Sequence, residues 1–278
     1  MVSGFQMPPQ GFGPGSQPEE DGEELAFMPM PSGMRTYSPH LPDIDDPASV
    51  APALATLNDI ARACAICAQT GERAEFDLSD MGAQSRALLA ETMGQGEVSM
   101  KLRGVPALMV QESVFAGIWV LAGAGVDKIE VAQVPGASMD RAFTPVRAAK
   151  LDAAEWKPGV VNAPALLAEL VDKSGQFATN PELHVVNLTL LPHTEEDLTW
   201  LDEALGTGAV TILSRGYGNC RITATALPHV WRVQFFNSMD TLILDTFEVT
   251  NMPEVAIAAT EDLTDSGERL IEVLEAIR

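Results

Sequence analysis

The sequence predicts an α+β fold made of two tandem, pseudo-symmetric repeats, each with helices and a meander of antiparallel strands. Three observations indicate this class. One segment occurs twice, helix and strand patterns follow the same order in both copies, and several strand patterns follow each other without a helix between them. The predicted organisation is a leader over 1–46, a degenerate first repeat over 49–160 and a second repeat over 161–278.

The duplicated segment covers residues 94–104 and 206–216. Five of its positions are identical in the two copies, and the offset is 112 residues. The same offset aligns Trp119 with Trp231, and it aligns the segment Ala-Pro-Ala-Leu at 51–54 with its second occurrence at 163–166. Such a long period favours two halves of one architecture over a solenoid. Whether the halves share a sheet is left open by the sequence.

Each repeat is predicted to begin with a helix, a short strand and a second helix. Pro52 and Pro164 suit the first turn of a helix, where the missing N–H is tolerated. Thr194 is a candidate N-cap, and Gly94 and Gly206 are expected to end the second helices in the left-handed conformation. The strands are predicted over 74–78 and 184–190, and the second helices over 83–93 and 194–205.

The second half of each repeat is predicted to be rich in strands. In the second repeat these strands are expected over 210–213, 221–225, 230–236 and 241–250, where β-branched or alternating apolar residues occur. A last helix is expected after Asp265, because Leu270, Leu274 and Ile277 recur on one helical face.

The leader and the net charge limit the function classes. Residues 1–46 contain eight prolines and eight acidic residues against one arginine, a composition that predicts disorder and carries −7 of the formal charge of −22. The residues after the leader also carry a net negative charge, which argues against binding to nucleic acid. No apolar run approaches the ~20 residues of a membrane span. The three cysteines and the lack of an export signal favour free thiols in the cytoplasm.

Cys64 and Cys67 form a Cys-x-x-Cys motif inside the first predicted helix. There the spacing places both sulfur atoms on one helical face. Buried structural thiols, a redox pair and a metal or cluster contact are the three interpretations. The histidines show no metal-ligand spacing, and no nucleotide- or cofactor-binding motif is present, so neither a metal nor a cofactor is predicted.

Residues 214–221, Ser-Arg-Gly-Tyr-Gly-Asn-Cys-Arg, predict a tight polar turn. The first repeat has the apolar sequence Val-Pro-Ala-Leu at 105–108 instead. Arg215 and Arg221 are candidates to lower the pKa of the Cys220 thiol or to hold a carboxylate. The alternative is a hairpin whose glycines only provide positive φ angles. The Glu-Ser pair at 112–113 and the Asn-Ser pair at 237–238 are interpreted as turn or edge residues with a chance of partner contact.

The second repeat resembles the C-terminal region of the HupH/HyaF/HoxQ family of hydrogenase expression/formation proteins. The resemblance extends over about 185–275, and the first repeat is similar to the same domain in a degenerate form. Its most specific motif is the turn at 214–221. The other segments that carry it are Leu190-Leu191-Pro192, Asp197 to Gly206, Thr211 to Ile222, Trp231, Phe236-Asn237-Ser238 and Leu242-Ile243-Leu244.

This resemblance implies a non-enzymatic, cytoplasmic accessory protein in the maturation of an uptake nickel–iron hydrogenase. The implied partners are the precursor of the iron–sulfur small subunit, before its export, and other hydrogenase accessory proteins. A thiol-redox, iron–sulfur or metal helper using Cys220, with or without Cys64 and Cys67, is the alternative. The predicted partner-binding residues are Arg215, Tyr217, Asn219, Cys220, Arg221, Asn237 and Ser238.

Overall fold

The computed structural model describes residues 48–151, 157–216 and 218–277. The predictions for the leader and for Tyr217 lie outside these residues. The helices are α1 (Ala51–Thr70), α2 (Ala83–Met93), α3 (Gly136–Arg141), α4 (Ala163–Phe177), α5 (Glu195–Leu205) and α6 (Thr260–Ile277). The strands are β1 (Ala74–Asp77), β2 (Val98–Leu102), β3 (Leu108–Glu112), β4 (Ile118–Gly123), β5 (Val126–Val131), β6 (His184–Asn187), β7 (Val210–Ser214), β8 (Asn219–Ala224), β9 (Val230–Phe236) and β10 (Leu242–Val249).

All of these strands belong to one antiparallel sheet, and the α+β class is confirmed. The strand order is β1-β5-β4-β3-β2-β7-β8-β9-β10-β6. The order of the first five strands is therefore mirrored by the order of the last five, with the β2–β7 pair at the centre. Both halves also start with a helix, a short strand and a helix. That one half arose as a copy of the other stays a prediction.

The central β2–β7 pair is formed by the two copies of the duplicated segment. Their register places Val98 opposite Ser214, Met100 opposite Ile212 and Leu102 opposite Val210. Met100 and Ile212 are also equivalent positions of the two copies, so the segment pairs with its own counterpart about this point. Both side chains are buried, at 1% and 0% exposure. The boundary between the two halves is thus a continuous part of the hydrophobic core.

The two faces of the sheet are covered differently. On one face, here called the closed face, a core runs across the centre from Trp119 to Trp231 beneath α3 and the 3-10 turn Glu254–Ala256. Each indole N–H on this face donates to a backbone carbonyl, that of Ala132 at 2.8 Å or that of Thr250 at 3.2 Å. Buried indoles are stabilised when this donor is satisfied.

On the opposite face, here called the helical face, the helices cover the outer strands. Helices α1, α2 and α6 form one core with β4 and β5, and α4 and α5 form another with β6, β9 and β10. The C-terminal helix α6 therefore packs on the first half, against α1. Gly267 permits this close packing, because an added Cβ would lie 3.0 Å from the Ala61 carbonyl oxygen and 3.1 Å from the Cys64 Cβ.

Helix α6 begins at Thr260, so the start predicted after Asp265 is wrong. Leu263 is fully buried and extends the apolar stripe by one turn. The acidic residues Glu261 and Asp262 suit the first turn, where the helix dipole favours negative charge. The predicted strand over 184–190 also ends early, at Asn187, and continues as a 3-10 turn.

The capping predictions are partly confirmed. Thr194 caps α5: the Asp197 N–H donates to its hydroxyl at 3.0 Å, and its own N–H donates to the Asp197 carboxylate at 3.0 Å. Gly94 and Gly206 do end α2 and α5 with φ of 56° and 68°, but their ψ angles of −153° and −163° are not left-handed helical. This region is open only to glycine.

We predict that Ile212→Ala lowers the free energy of unfolding by about 2–5 kcal/mol, because it leaves a cavity in the central core. The neighbouring substitution Leu213→Ala is the matched control. Leu213 is 42% exposed on the helical face, so its effect is expected to stay below about 1 kcal/mol. Urea titrations followed by circular dichroism measure both. Equal losses in the two variants would contradict the assigned register.

A second prediction concerns the dependence of stability on pH. Burial alone would raise the pKa of Asp197, but four backbone N–H donors lower this pKa to about 2; they belong to Ala163, Thr194, Val161 and Asn162. A carboxyl whose pKa falls on folding stabilises the fold above its unfolded value and loses this contribution as the pH drops towards its folded value. Wild type should exceed Asp197→Asn in stability at about pH 7, and the gap should narrow below about pH 4 in urea titrations. A constant gap would contradict the assignment.

Candidate functional site

Two turns lie side by side at one end of the sheet. Strand β7 ends at Ser214, β8 begins at Asn219, and Asn219 lies opposite Phe236, the last residue of β9. The turn before Asn219 and the turn over 237–241 are therefore neighbours. The structure thus brings together the segments that contain the residues predicted for partner binding.

Asn237 organises its own turn. Its side-chain oxygen accepts the N–H groups of Met239 and Thr241, both at 2.9 Å, and its N–H donates to the Thr241 carbonyl. Ser238 is exposed beside it. Asn237 therefore has a structural role in shaping the turn, and its predicted contact with a partner stays a prediction, as does that of Ser238.

A depression of about 460 Å³ opens between these turns. It is lined by Leu213, Ser214, Arg215, Asn219, Cys220, Arg221, Phe236 and Asp240. The Arg221 guanidinium lies over the Phe236 ring at 5.5 Å from its centroid, which suits a cation–π contact. The rim therefore offers an aromatic surface, guanidinium groups and a side-chain amide. These groups bind carboxylates, backbone carbonyls and apolar side chains.

The Cys220 side chain packs in the closed-face core, although this residue also borders the depression. It is 4% exposed, in the same core as Ile222 and Ala224. Burial, reinforced by the charge of Glu248, raises the pKa of the Cys220 thiol to about 12. Side chains alternate along a strand, so the next residue, Arg221, lies on the opposite face. The option of an arginine-lowered thiol pKa is contradicted, and at neutral pH the thiol is protonated.

Cys64 and Cys67 lie on the inner side of α1, at 0% and 2% exposure. Burial, with a contribution from Cys67, raises the pKa of Cys64 to about 12, and burial also raises the pKa of Cys67. Within the described residues, no group of three or more His, Cys, Asp and Glu side chains is placed to hold a metal ion. The structural interpretation of the pair fits this position best.

A buried carboxyl lies where the sequence suggested a turn or edge residue. Glu112 ends β3 at 8% exposure and accepts the Gly117 N–H at 3.2 Å. Burial raises the pKa of Glu112 to about 7. The alternation Leu108, Val110, Glu112 places this carboxyl on the buried face, and that pattern was the signal available in the sequence. Ser113, which follows, is buried and donates its hydroxyl to the Phe115 carbonyl at 2.7 Å.

The helical face has an uncovered centre that sequence reasoning missed. We call it the open strip and define it by the side chains that β3, β2, β7 and β8 direct to this face. Met109 and Leu213 within it are 56% and 42% exposed, unlike the buried positions on the outer strands of the same face. The open strip consists of Ser99, Lys101, Met109, Gln111, Thr211, Leu213, Asn219, Arg221 and Thr223.

The open strip is continuous with the depression, since both contain Leu213 and Arg221. Its far end is marked by Arg103, whose guanidinium lies 3.4 Å from the Thr211 hydroxyl. The candidate site is therefore one surface that starts at Arg215 and crosses the centre of the sheet. Among the residues described, no helix combines the length and the apolar character that crossing a bilayer requires.

Comparison with known proteins finds a family model that covers most of the chain. It is described as the HupH hydrogenase expression protein, C-terminal conserved region, and it matches residues 50–142 and 160–277. The two matched ranges fall on the two halves of the sheet. The turn before Asn219 lies in the second range.

Full-length relatives carry related names. The chain is 66% identical over 278 residues to the hydrogenase expression/formation protein HupH of Rhodobacter capsulatus, with 100% of both chains covered. It is 43% identical to HoxQ of Cupriavidus necator, covering 99% of this chain and 98% of the relative. It is 30% identical to the hydrogenase-1 operon protein HyaF of Escherichia coli, covering 95% and 94%. A solved HupH structure from Thiobacillus denitrificans matches with a TM-score of 0.40 and 27% identity, over 41% of this chain and 96% of the other.

We predict that the native protein reacts slowly with Ellman's reagent at neutral pH, because all three cysteines are buried and the pKa values of their thiols are raised by burial. In about 6 M guanidinium chloride all three should react at once. Absorbance at 412 nm reports thiols released per chain. Rapid reaction of one thiol in the native protein would contradict the burial of that cysteine.

Proposed function

Because the chain belongs to the HupH family of hydrogenase expression/formation proteins, we propose that it is a non-enzymatic binding protein for hydrogenase maturation. Its proposed client is the precursor of the iron–sulfur small subunit of an uptake nickel–iron hydrogenase. The relatives' names support a role in hydrogenase expression or formation. The client and the mode of action are our proposal.

The observation that carries the proposal is the depression at the family-signature turn. Its rim presents the guanidinium groups of Arg215 and Arg221, the amide of Asn219 and the Phe236 ring. Such groups can bind a partner through hydrogen bonds, charge and apolar contact, without forming or breaking covalent bonds. The neighbouring thiol of Cys220 is turned into the core, and burial raises its pKa to about 12. Binding therefore suits this surface better than thiol chemistry does.

The proposed place of action is the cytoplasm, before the small subunit is exported. The binding protein would hold the precursor there together with other accessory proteins of the same hydrogenase. It needs no cofactor for this role. Tyr217, outside the described residues, is proposed as part of the same binding surface because it lies within the signature turn.

The test is copurification from cells that express the hydrogenase. The tagged full-length chain should retain the small-subunit precursor, and Arg215→Glu combined with Asn219→Ala should reduce the retained amount at least about tenfold. Arg62→Glu, an exposed charge reversal on α1 with Arg62 at 65% side-chain exposure, is the matched control and should retain it fully. Chemical cross-links should concentrate in 214–222 and 236–240.

The thiol alternative is tested by Cys220→Ser. This variant should retain the precursor and support full hydrogenase activity in air, since the proposal assigns no chemistry to the sulfur. Loss of hydrogenase activity with normal folding and normal precursor binding would favour the thiol helper. Failure of the wild-type chain to retain any hydrogenase subunit would refute the binding proposal itself.

A further inference from the structure

The open strip is a gap in a layer of helices. On both sides of it the outer strands are covered, by α1, α2 and α6 in one half and by α4 and α5 in the other. The gap is four strands wide, which is about 19 Å at the usual strand spacing of ~4.8 Å. One α-helix with its side chains has a diameter of ~10–12 Å. The gap therefore has room for a single helix lying in the same layer.

The charge of the gap is opposite in sign to that of the chain as a whole. The chain has 39 acidic and 17 basic residues, yet none of the nine open-strip positions is Asp or Glu. Lys101 and Arg221 lie within the strip, Arg103 reaches over Thr211, and Arg215 extends it at one end. Two carboxylates lie near that end, Glu97 beside Gly216 and Asp240 on the rim of the depression.

These cations have no carboxylate partner inside the described parts of the molecule, although Arg103 contacts the Thr211 hydroxyl and Arg221 lies over the Phe236 ring. Within residues 48–151, 157–216 and 218–277, Lys101, Arg103, Arg215 and Arg221 form no salt bridge. One strand away, Arg232 is paired with Asp245 at 2.6 Å. Arg232 on the covered part of this face is therefore neutralised by a carboxylate, whereas the four cations on its open part are not.

The centre of the strip also has apolar surface. Met109 and Leu213 are exposed between the cations. In the register, Met109 lies opposite Lys101, which lies opposite Thr211, and Leu213 lies opposite Arg221. Each of the two apolar side chains thus has a cationic side chain directly opposite it on the neighbouring strand, and the other positions of the strip are neutral and polar. An amphipathic helix with apolar residues along one face and carboxylates on its flanks is complementary to this pattern.

We propose that the open strip binds one acidic amphipathic helix of a partner protein. The helix would complete the layer on the helical face, with its apolar stripe on Met109 and Leu213 and its flanking carboxylates on Lys101, Arg103 and Arg221. This inference extends the proposed function in one respect: it names the chemistry of the partner segment at the same surface. A second copy of the chain is disfavoured as occupant, because its own strip would bring like charges together.

The direct test uses a defined probe and the full-length chain. The probe is a fluorescein-labelled peptide of about 18 residues, built from Leu, Ala and Glu with the leucines on one helical face. Fluorescence anisotropy should show binding at low ionic strength that weakens as salt is added. A peptide with Lys in place of every Glu should not bind. Equal or tighter binding of the lysine peptide, or no binding of the glutamate peptide, would overturn the proposal.

Matched variants locate the binding. Lys101→Glu with Arg221→Glu should weaken binding of the glutamate peptide at least about tenfold. Arg62→Glu should change it less than about twofold, because Arg62 lies on α1 away from the strip. Circular dichroism and urea midpoints check that the double variant is folded. If the double variant is not folded, Leu213→Lys is used in its place, and this substitution tests the apolar contact of the peptide with the strip. Unchanged peptide binding in a folded strip variant would refute the location.

Two further measurements distinguish the proposed helix from other occupants of the strip, and distinguish this inference from the proposed function. Light scattering should show that the wild-type chain does not form a dimer through the strip. A wild-type dimer that is absent in the double variant would assign the strip to a second copy. A photo-cross-linking amino acid at position 109 should, in hydrogenase-expressing cells, label an acidic helical segment. If the segment is acidic but belongs to another protein than the small subunit, the strip inference stands and the proposed client fails. A basic or extended segment overturns the inference.

Discussion

The pairing of β2 with β7 is the interaction on which the rest of the structure depends. It joins the two halves of the chain through five residue pairs, and it lies in the middle of ten strands. Because Met100 and Ile212 are buried in the same core as Trp119 and Trp231, the halves share apolar packing as well as backbone hydrogen bonds. Neither half could expose this seam without exposing a row of unpaired backbone groups and the core beneath it.

The position of this seam also explains why the open strip exists. Helices α1, α2 and α6 cover the outer strands of one half, helices α4 and α5 cover those of the other, and the seam lies between these two sets of helices. On the closed face, α3 and the turn Glu254–Ala256 cover the centre of the sheet. The helical face has no such cover within the described residues. A continuous sheet whose centre is closed on one side only leaves a floor on which a partner can bind.

Much of this fold could be predicted from local patterns, because those patterns reflect local physics. The cap at Thr194, the helices beginning near Pro52 and Pro164, and the strands of the second half all follow from residues within one turn or one strand. The pairing of the two copies of the duplicated segment with each other could not be predicted. The offset of 112 residues is equally compatible with two separate domains, and only long-range packing selects the shared sheet.

The residues of the candidate site stay a prediction, and the orientation of their side chains differs from the one expected. The turn and its arginines were identified, whereas Cys220 was expected beside the guanidinium groups and lies on the other face of β8. The alternation Cys220, Ile222, Ala224 contained that information. Arg221 belongs to the turn motif at 214–221, but Lys101 comes from β2, which is far from β8 in sequence, so no local motif could show that the two cations share one surface.

The most direct measurement is hydrogen–deuterium exchange of the full-length chain with and without the purified small-subunit precursor. The central claim is that the signature turn and the strip it borders form the binding surface. Exchange should therefore slow in 214–222 and 236–241 when the precursor is added, while the outer surface of α1 and α4 stays unchanged. Slowing confined to those helices, or no slowing anywhere in the presence of saturating precursor, would contradict the claim.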